Sequence, residues 1–331
     1  MGTVNSLEKN VENNVRKRFK QRSKIRTNNL KVLKRKNPKE ILALDTRERI
    51  ERKKKLLGIK NDRVLEGLIA QNNLMPINYL ELGRIVSESI CKIEVKDTNG
   101  KTVSHGTGFL ISPSLLLTNN HILSSKDLCK RSIAQFNYED DDNFNPRQVV
   151  NFKLDPDLFF YNNEKLDFAL VAVKPNALDN SPLSKFRFVK LIEGTGKAVI
   201  GDFVTLIQHP NGEKKQIAIR ENRVVDLPSD NYIHYMADST GGSSGAPVFN
   251  DMWQVVALHH AGVPKRDSKK RELAIDGRVW EKYMGEDKKQ YIANEGIRIS
   301  KIINDLKSKK DSFSQKSKKI LGEFLKTVII I

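Results

Sequence analysis

Gly106-Thr107-Gly108-Phe109-Leu110-Ile111-Ser112-Pro113-Ser114-Leu115-Leu116-Leu117-Thr118 is the stretch from which the fold can be read. Two short apolar runs flank the turn tripeptide Ser112-Pro113-Ser114, and neither is long enough to make a helix on its own. The same pattern continues outward in both directions. Residues 90–95 alternate apolar and polar before it. After it come the runs 133–136, 149–154, 168–173, 198–200, 203–207, 216–225, 232–236, 248–249 and 253–258. About a dozen short strands separated by turn residues predict an all-β core, a barrel or a sandwich.

Helical periodicity flanks this core. From Pro38 the apolar positions Ile41, Leu42, Leu44, Ile50, Leu56 and Leu57 fall broadly on one side, with Gly58 as the stop. A shorter helix is expected over 62–70, and helix returns near 299–306 and 317–325. Residues 1–37 are rich in Lys, Arg and Asn with scattered Val11, Val15, Phe19 and Ile25, which fits either a marginal amphipathic helix or a disordered arm.

Charge divides the 331 residues in the same way. The whole carries 58 Lys plus Arg against 40 Asp plus Glu, a formal +18. Residues 1–80 hold 21 basic and 8 acidic side chains, and 301–331 hold 8 and 3. The remaining body has 29 of each and is neutral. A chain that coats nucleic acid along its whole length is therefore excluded, and a balanced globular core with basic ends is expected. No apolar run approaches the roughly 20 residues of a membrane helix, and residues 1–20 lack the apolar stretch of a secretory signal. Met1-Gly2 with Ser6 meets only the minimal pattern for myristoylation. Cys91 and Cys129 make neither a disulfide framework nor a metal spacing, and read as reduced thiols of a cytoplasmic protein.

Three local sequences carry chemistry. Leu117-Thr118-Asn119-Asn120-His121 closes the opening stretch, Leu166-Asp167-Phe168-Ala169-Leu170 lies 46 residues on, and Gly241-Gly242-Ser243-Ser244-Gly245-Ala246-Pro247-Val248 places a serine 77 residues beyond that Asp. A serine hydroxyl is a weak nucleophile until a base removes its proton. His121 supplies an imidazole that titrates near neutrality, and Asp167 can hold its other ring nitrogen. The N–H groups of Gly242 and Ser244 can converge as an oxyanion hole, worth about 3 kcal/mol per donor in the transition state. Each gap has room for several strands between the partners.

In this order the segments resemble the trypsin-like serine peptidases of the chymotrypsin superfamily. The run from Ser239 to Asn250 is similar to bacterial members, including glutamyl endopeptidases. Val255-Val256-Ala257-Leu258-His259-His260-Ala261-Gly262 and Ala293-Asn294-Glu295-Gly296-Ile297-Arg298-Ile299-Ser300 are similar to intracellular bacterial trypsin-like proteins. The resemblance begins near Asn73-Leu74-Met75-Pro76, spans roughly residues 64–300 and leaves 1–63 outside it. It implies two packed antiparallel six-stranded barrels, about 85–180 and 181–300, within a peptidase domain over 81–300. A basic helical or partly disordered region (1–80) precedes them and a short basic helical tail (301–331) follows. It implies peptide-bond hydrolysis through an acyl-enzyme on Ser244, with neither cofactor nor metal.

The same resemblance gives conflicting signals for specificity. His259 and Ser239 fall where glutamyl endopeptidases bind an acidic side chain, whereas Asp238 falls where trypsin binds Lys or Arg. The basic reading is slightly preferred. His260, Ala261 and Gly262 are expected to pair with substrate backbone. Secreted relatives are activated by an ion pair to an Asp before the nucleophile, and Ser243 stands there instead, so activation of that kind is not expected. His105, His209 and His234 read as turn or surface residues, Trp253 and Trp280 as packing, and Glu139-Asp140-Asp141-Asp142 as a solvated hairpin rather than a calcium loop. The basic arm reads as a solvated extension, as a docking or autoinhibitory segment, or as a contact for nucleic acid or an anionic membrane. The competing reading of the whole is a catalytically inactive protease-fold scaffold whose basic N-terminal region binds a protein partner or nucleic acid.

Overall fold

A computed structural model describes residues 2–70, 75–219 and 222–330. Asn73-Leu74, at the head of the resembling segment, and the middle of the expected strand 216–225 lie outside the described residues. Six helices come first: α1 Gly2–Gln21, α2 Ser23–Arg35, α3 Pro38–Leu42, α4 Arg47–Leu57, α5 Asp62–Ala70 and α6 Asn78–Ser87. Of the two readings of residues 1–37, helix or disordered arm, helix is the one observed, in α1 and α2. Local chemistry sets the ends. The Asn37 side chain accepts the Lys39 and Glu40 N–H groups with Pro38 in the first turn, and Gly58 stops α4 in the left-handed region at φ 65°.

The first sheet contains β1 Ile90–Lys96, β2 Thr102–Leu110, β3 Leu115–Thr118, β4 Ile133–Phe136, β5 Val150–Lys153, β6 Phe160–Asn163 and β7 Phe168–Ala172, with a short helix α7 Lys126–Arg131 before β4. The second contains β8 Thr205–Gln208, β9 Gln216–Ala218, β10 Val224–Asp226, β11 Tyr232–Tyr235, β12 Pro247–Phe249, β13 Val255–Pro264 and β14 Tyr291–Arg298. All ladder pairings are antiparallel, in the orders β5-β4-β1-β2-β3-β7-β6 and β10-β11-β14-β13-β12-β8-β9. Each sheet has seven strands where six were expected of each barrel. The opening stretch is the β2–β3 hairpin, with Phe109 opposite Leu117 and Leu110 opposite Leu116. Two helices end the chain, α8 Ile299–Lys309 and α9 Gln315–Thr327.

Burial explains this assembly. One cluster fills the first sheet with Ile93, Leu116, Phe136, Phe152 and Val171. Another fills the second with Val204, Leu206, Tyr235, Val248 and Val256, and is closed by Leu33, Ile41, Ile50 and Leu65 from α2 to α5. A third lies between the sheets, joining Phe109, Leu117 and Phe168 to Phe249, Leu258 and Ile297. Ile302, Ile303 and Leu306 of α8 and Leu321 and Phe324 of α9 belong to it, so the C-terminal helices complete the core.

One expected strand is absent. Residues 198–200 are buried but form a turn beneath α3 and α4, because their N–H groups are taken by side chains: Val199 donates to Asp202 and Ile200 to Asp45. Among the described residues, no helix is long and apolar enough to cross a membrane.

Candidate active site

His121 sits in the turn that leaves β3. The Asn119 carbonyl accepts the N–H groups of Ile122 and Leu123, and the Asn119 side chain donates to the Asp167 carbonyl at 2.9 Å, tying this turn to the one before β7. Asn162, on β6, donates to the Asn120 side chain. Asp167 has φ 54°, a left-handed backbone that costs a non-glycine residue about 1–3 kcal/mol and persists where its surroundings fix it. In that conformation its carboxylate receives two bonds from His121, the backbone N–H at 3.0 Å and ring Nδ1–H at 2.8 Å. His121 is 1% exposed and Asp167 3%. Burial opposes charge on the His121 ring, but the adjacent Asp167 carboxylate outweighs it and the pKa is raised. For Asp167 burial pushes upward, yet His121 and His260 hold the carboxyl down at about 2.

Ser244 lies between β11 and β12. Its carbonyl accepts the Thr107 N–H at 2.8 Å, which anchors the loop to β2 in the first barrel. Gly245 donates to the His259 carbonyl, and Ser243 and Thr240 bond each other through backbone and side chain. Ser243 is fully buried, its hydroxyl accepting the Thr240 N–H at 3.1 Å. Gly242 stands at φ 88°, where a Cβ would come within 2.6 Å of the His209 carbonyl oxygen. No hydrogen bond among the described residues takes up the N–H of Gly242 or of Ser244. Among the same residues, His121 Nε2 is also without a hydrogen-bond partner. His121, Gly241, Gly242 and Ser244 line one open cleft of about 800 Å³. Glu8, Glu213, Glu286 and Asp287 are on its walls.

The remaining site residues are placed differently from one another. Ser239 is buried and donates to the Asn294 side chain at 2.5 Å. Asp238 is exposed, with its carbonyl accepting from Gln208. His259 does not pair with Asp238. Its Nδ1 meets the Tyr235 hydroxyl at 2.6 Å, and burial lowers its pKa to about 3, so it is neutral. His260 was expected at the substrate-pairing edge with Ala261 and Gly262. A bulge in β13 between His259 and Ala261 accompanies a second role: its Nδ1 lies 3.2 Å from Asp167 and its Nε2 2.9 Å from Glu295.

Two of the histidines read as turn or surface residues, His209 and His234, are fully buried, and of these only His209 stands at a turn. His234 is fully buried in β11 with Nε2 2.8 Å from Glu295, because the strand places it opposite that residue on β14. His209 opens the turn Pro210–Gly212 as expected of a turn residue but is fully buried, its Nδ1 on the Glu213 carbonyl. The acidic run 139–142 pairs with cations, Glu139 with Lys215 and Asp140 with Lys214. Among the described residues no group of three or more His, Cys, Asp or Glu side chains is arranged to hold a metal ion.

Two seven-stranded antiparallel sheets, with Ser244 and the His121–Asp167 pair on turns between their strands, define the class, a chymotrypsin-like double barrel. Residues 106–258 match the family described as the trypsin-like peptidase domain. The chain is 40% identical over 262 residues to the uncharacterized protein y4fB of Sinorhizobium fredii (strain NBRC 101917 / NGR234), covering 74% of this chain and 40% of that one. The chain thus spans about two fifths of the length of that relative. Among solved structures it is similar to a serine endoprotease from Yersinia pestis, with TM-score 0.45 and 14% identity over 71% of this chain and 67% of that one. It is also similar to the Rv3671c protease of M. tuberculosis in its active form, with TM-score 0.44 and 15% identity over 72% and 90%.

Proposed function

We propose that the protein is a serine endopeptidase. The observation that carries this reading is the His121–Asp167 pair, with Nδ1 engaged at 2.8 Å and Nε2, among the described residues, left without a partner beside the cleft that Ser244 also lines. In this mechanism Nε2 takes the Ser244 proton as Oγ attacks the peptide carbonyl, and Asp167 steadies the imidazolium that results. The carbonyl oxygen gains negative charge and is met by the Gly242 and Ser244 N–H groups. His121 returns the proton to the leaving amine, and water then repeats the sequence on the acyl-enzyme.

Preference for a basic residue before the scissile bond is supported by the wall of the cleft, where Glu8, Glu213, Glu286 and Asp287 gather. His259, buried and neutral, offers no cation to an acidic side chain. Cys91 and Cys129, separate buried thiols, fit a reducing compartment such as the cytoplasm. A fluorophosphonate probe tests the enzyme reading. Labelling that is lost in Ser244→Ala supports it, and a silent intact chain favours the scaffold alternative. Peptide-library profiling tests the pocket: if Asp238→Ser leaves a Lys/Arg preference unchanged, Asp238 is not its source.

A further inference from the structure

Behind the proposed triad a line of buried ionic contacts runs out to the first helix. Asp167 Oδ2 meets His260 Nδ1, and His260 Nε2 meets Glu295 Oε1. Glu295 is fully buried on β14, with His234 Nε2 on its other oxygen. Its remaining partner comes from 277 residues away: Arg18 of α1, with Nε 3.1 Å from both carboxylate oxygens and a terminal nitrogen 2.5 Å from Oε1. The same guanidinium lies 4.0 Å from the Tyr232 ring centre, and that ring stacks on His260 at 5.8 Å with 9° between planes. One turn further on, Arg22 grips Asp226, itself fully buried, at 2.6 and 3.0 Å. Val11, Val15 and Phe19 seat the helix on Ala261, Val263 and Ala293.

A fork-shaped guanidinium on a buried carboxylate fixes orientation as well as charge. A carboxylate held by Arg18 from one side presents Oε1 to His260 in one geometry only. His260 is in turn wedged between two carboxylates, and it shares Asp167 Oδ2 with the His121 ring. We propose that Arg18 is a positioning residue for the reaction: through Glu295 and His260 it sets the orientation of Asp167, and so of His121. The first helix is then a working part of the peptidase, supplied by a segment that lies outside the peptidase resemblance. The proposal rests on the serine peptidase reading for its effect on rate. The geometric link from Arg18 to His121 does not.

The test uses the full chain in four forms: unaltered, Arg18→Met, Arg18→Lys, and Lys17→Ala as a control on the exposed side of the same helix. Two readouts are taken, the low-field proton resonance of His121 Nδ1–H and kcat and KM on a peptide ester. In Arg18→Met the resonance moves or broadens, and kcat falls about tenfold to a hundredfold with KM little changed. The acid limb of the pH profile also moves up. Loss of Arg18 leaves Glu295 and Asp167 facing His260, His234 and His121 with less positive charge, alongside Glu8, neutral His259 and the Tyr232 hydroxyl. Arg18→Lys, which keeps the charge without the fork, recovers part of kcat even where Arg18→Met folds poorly. Lys17→Ala changes nothing.

An unchanged resonance and kcat in folded Arg18→Met overturn the proposal and leave the peptidase reading standing. A rise in kcat overturns it too, since α1 would then be an obstruction. If the unaltered chain neither labels nor turns over but Arg18→Met still moves the resonance, the link holds and the peptidase reading falls.

Discussion

Gly245 joins the Ser244 turn to the rest of the fold, and substituting alanine there tests that account quantitatively. Its backbone sits at φ 89°, and a Cβ added to it would be driven into the Thr107 carbonyl oxygen and the Thr118 hydroxyl, 3.0 Å from the Thr107 carbonyl carbon. Three costs follow. Holding alanine in the left-handed region takes about 1–2 kcal/mol. Moving the Thr107 carbonyl loses the 2.8 Å bond from the Thr118 hydroxyl, a buried contact worth about 1 kcal/mol. The 2.8 Å bond from Thr107 N–H to the Ser244 carbonyl, worth about the same, goes with it. Gly245→Ala should therefore destabilise by about 3 kcal/mol, more than a hundredfold in the folded-to-unfolded ratio. Gly277 supplies the control, since it has φ 84° with nothing within 4 Å of a Cβ, so that Gly277→Ala isolates the dihedral cost. Urea unfolding followed by tryptophan fluorescence measures both, and the midpoint should fall while the slope stays constant. Equal losses for the two variants would refute the claim that contact with the first barrel, rather than backbone strain alone, requires glycine at 245.

Three further outcomes follow from the same geometry. His121 is held above its ordinary pKa of 6.5, so kcat/KM should rise with pH through a midpoint above that value, and a midpoint below it would contradict the burial and pairing described. Ile303→Ala, on the fully buried face of α8, should cost about 2–5 kcal/mol in urea unfolding, and a loss below about 1 kcal/mol would show that the helix is not part of the core. His234 and His260 are also raised: burial opposes their charge, and Asp226 with Glu295, or Asp167 with Glu295, overcomes it. Their stabilising contribution is complete below about pH 6.5 and is lost as pH climbs through the raised values. Thermal melting should therefore decline on the alkaline side, and a flat profile would remove the charged-histidine account.

The core was legible because its signal is local. Strand periodicity, the Ser112-Pro113-Ser114 turn and the glycines about Ser244 each act within a few residues, and the order of His121, Asp167 and Ser244 restricts which turns can meet. What escaped depends on distant partners. The apolar triplet Ala198-Val199-Ile200 reads as a strand until Asp45 and Asp202 are seen to take its N–H groups. His260 is given as an edge residue by the resemblance, which carries no sign of the bulge before Ala261 or of the partners Asp167 and Glu295. Glu295 and Asp226 look like ordinary strand carboxylates until Arg18 of the first helix and Arg22 at its end reach them. The short helix α7 did leave a trace in Ser125, whose hydroxyl accepts the Leu128 N–H.

The +13 of residues 1–80 also divides by geometry, and salt can separate its parts. Arg16 pairs with Glu272, Arg18 with Glu295, Arg22 with Asp226 and Lys53 with Asp202, all carboxylates of the balanced body. Glu295 and Asp226 have no exposed side-chain surface, so undocking α1 together with Arg22 would take an arginine from each of two buried carboxylates and leave them to His260 and His234. Lys17, Lys20 and Lys24 point to water instead. Screening acts on exposed charges, with a Debye length of about 10 Å at 0.1 M salt and about 3 Å at 1 M, and far less on buried pairs. Raising salt across this range should weaken any polyanion attraction of the lysines while α1 stays seated. Amide hydrogen exchange over residues 10–20 reads this directly. Protection should be unchanged at 1 M salt, because Val15 and Phe19 and the two buried carboxylates hold the helix. Protection that collapses with salt would mean that exposed charge alone keeps the helix in place, and would return the arm to a solvated extension.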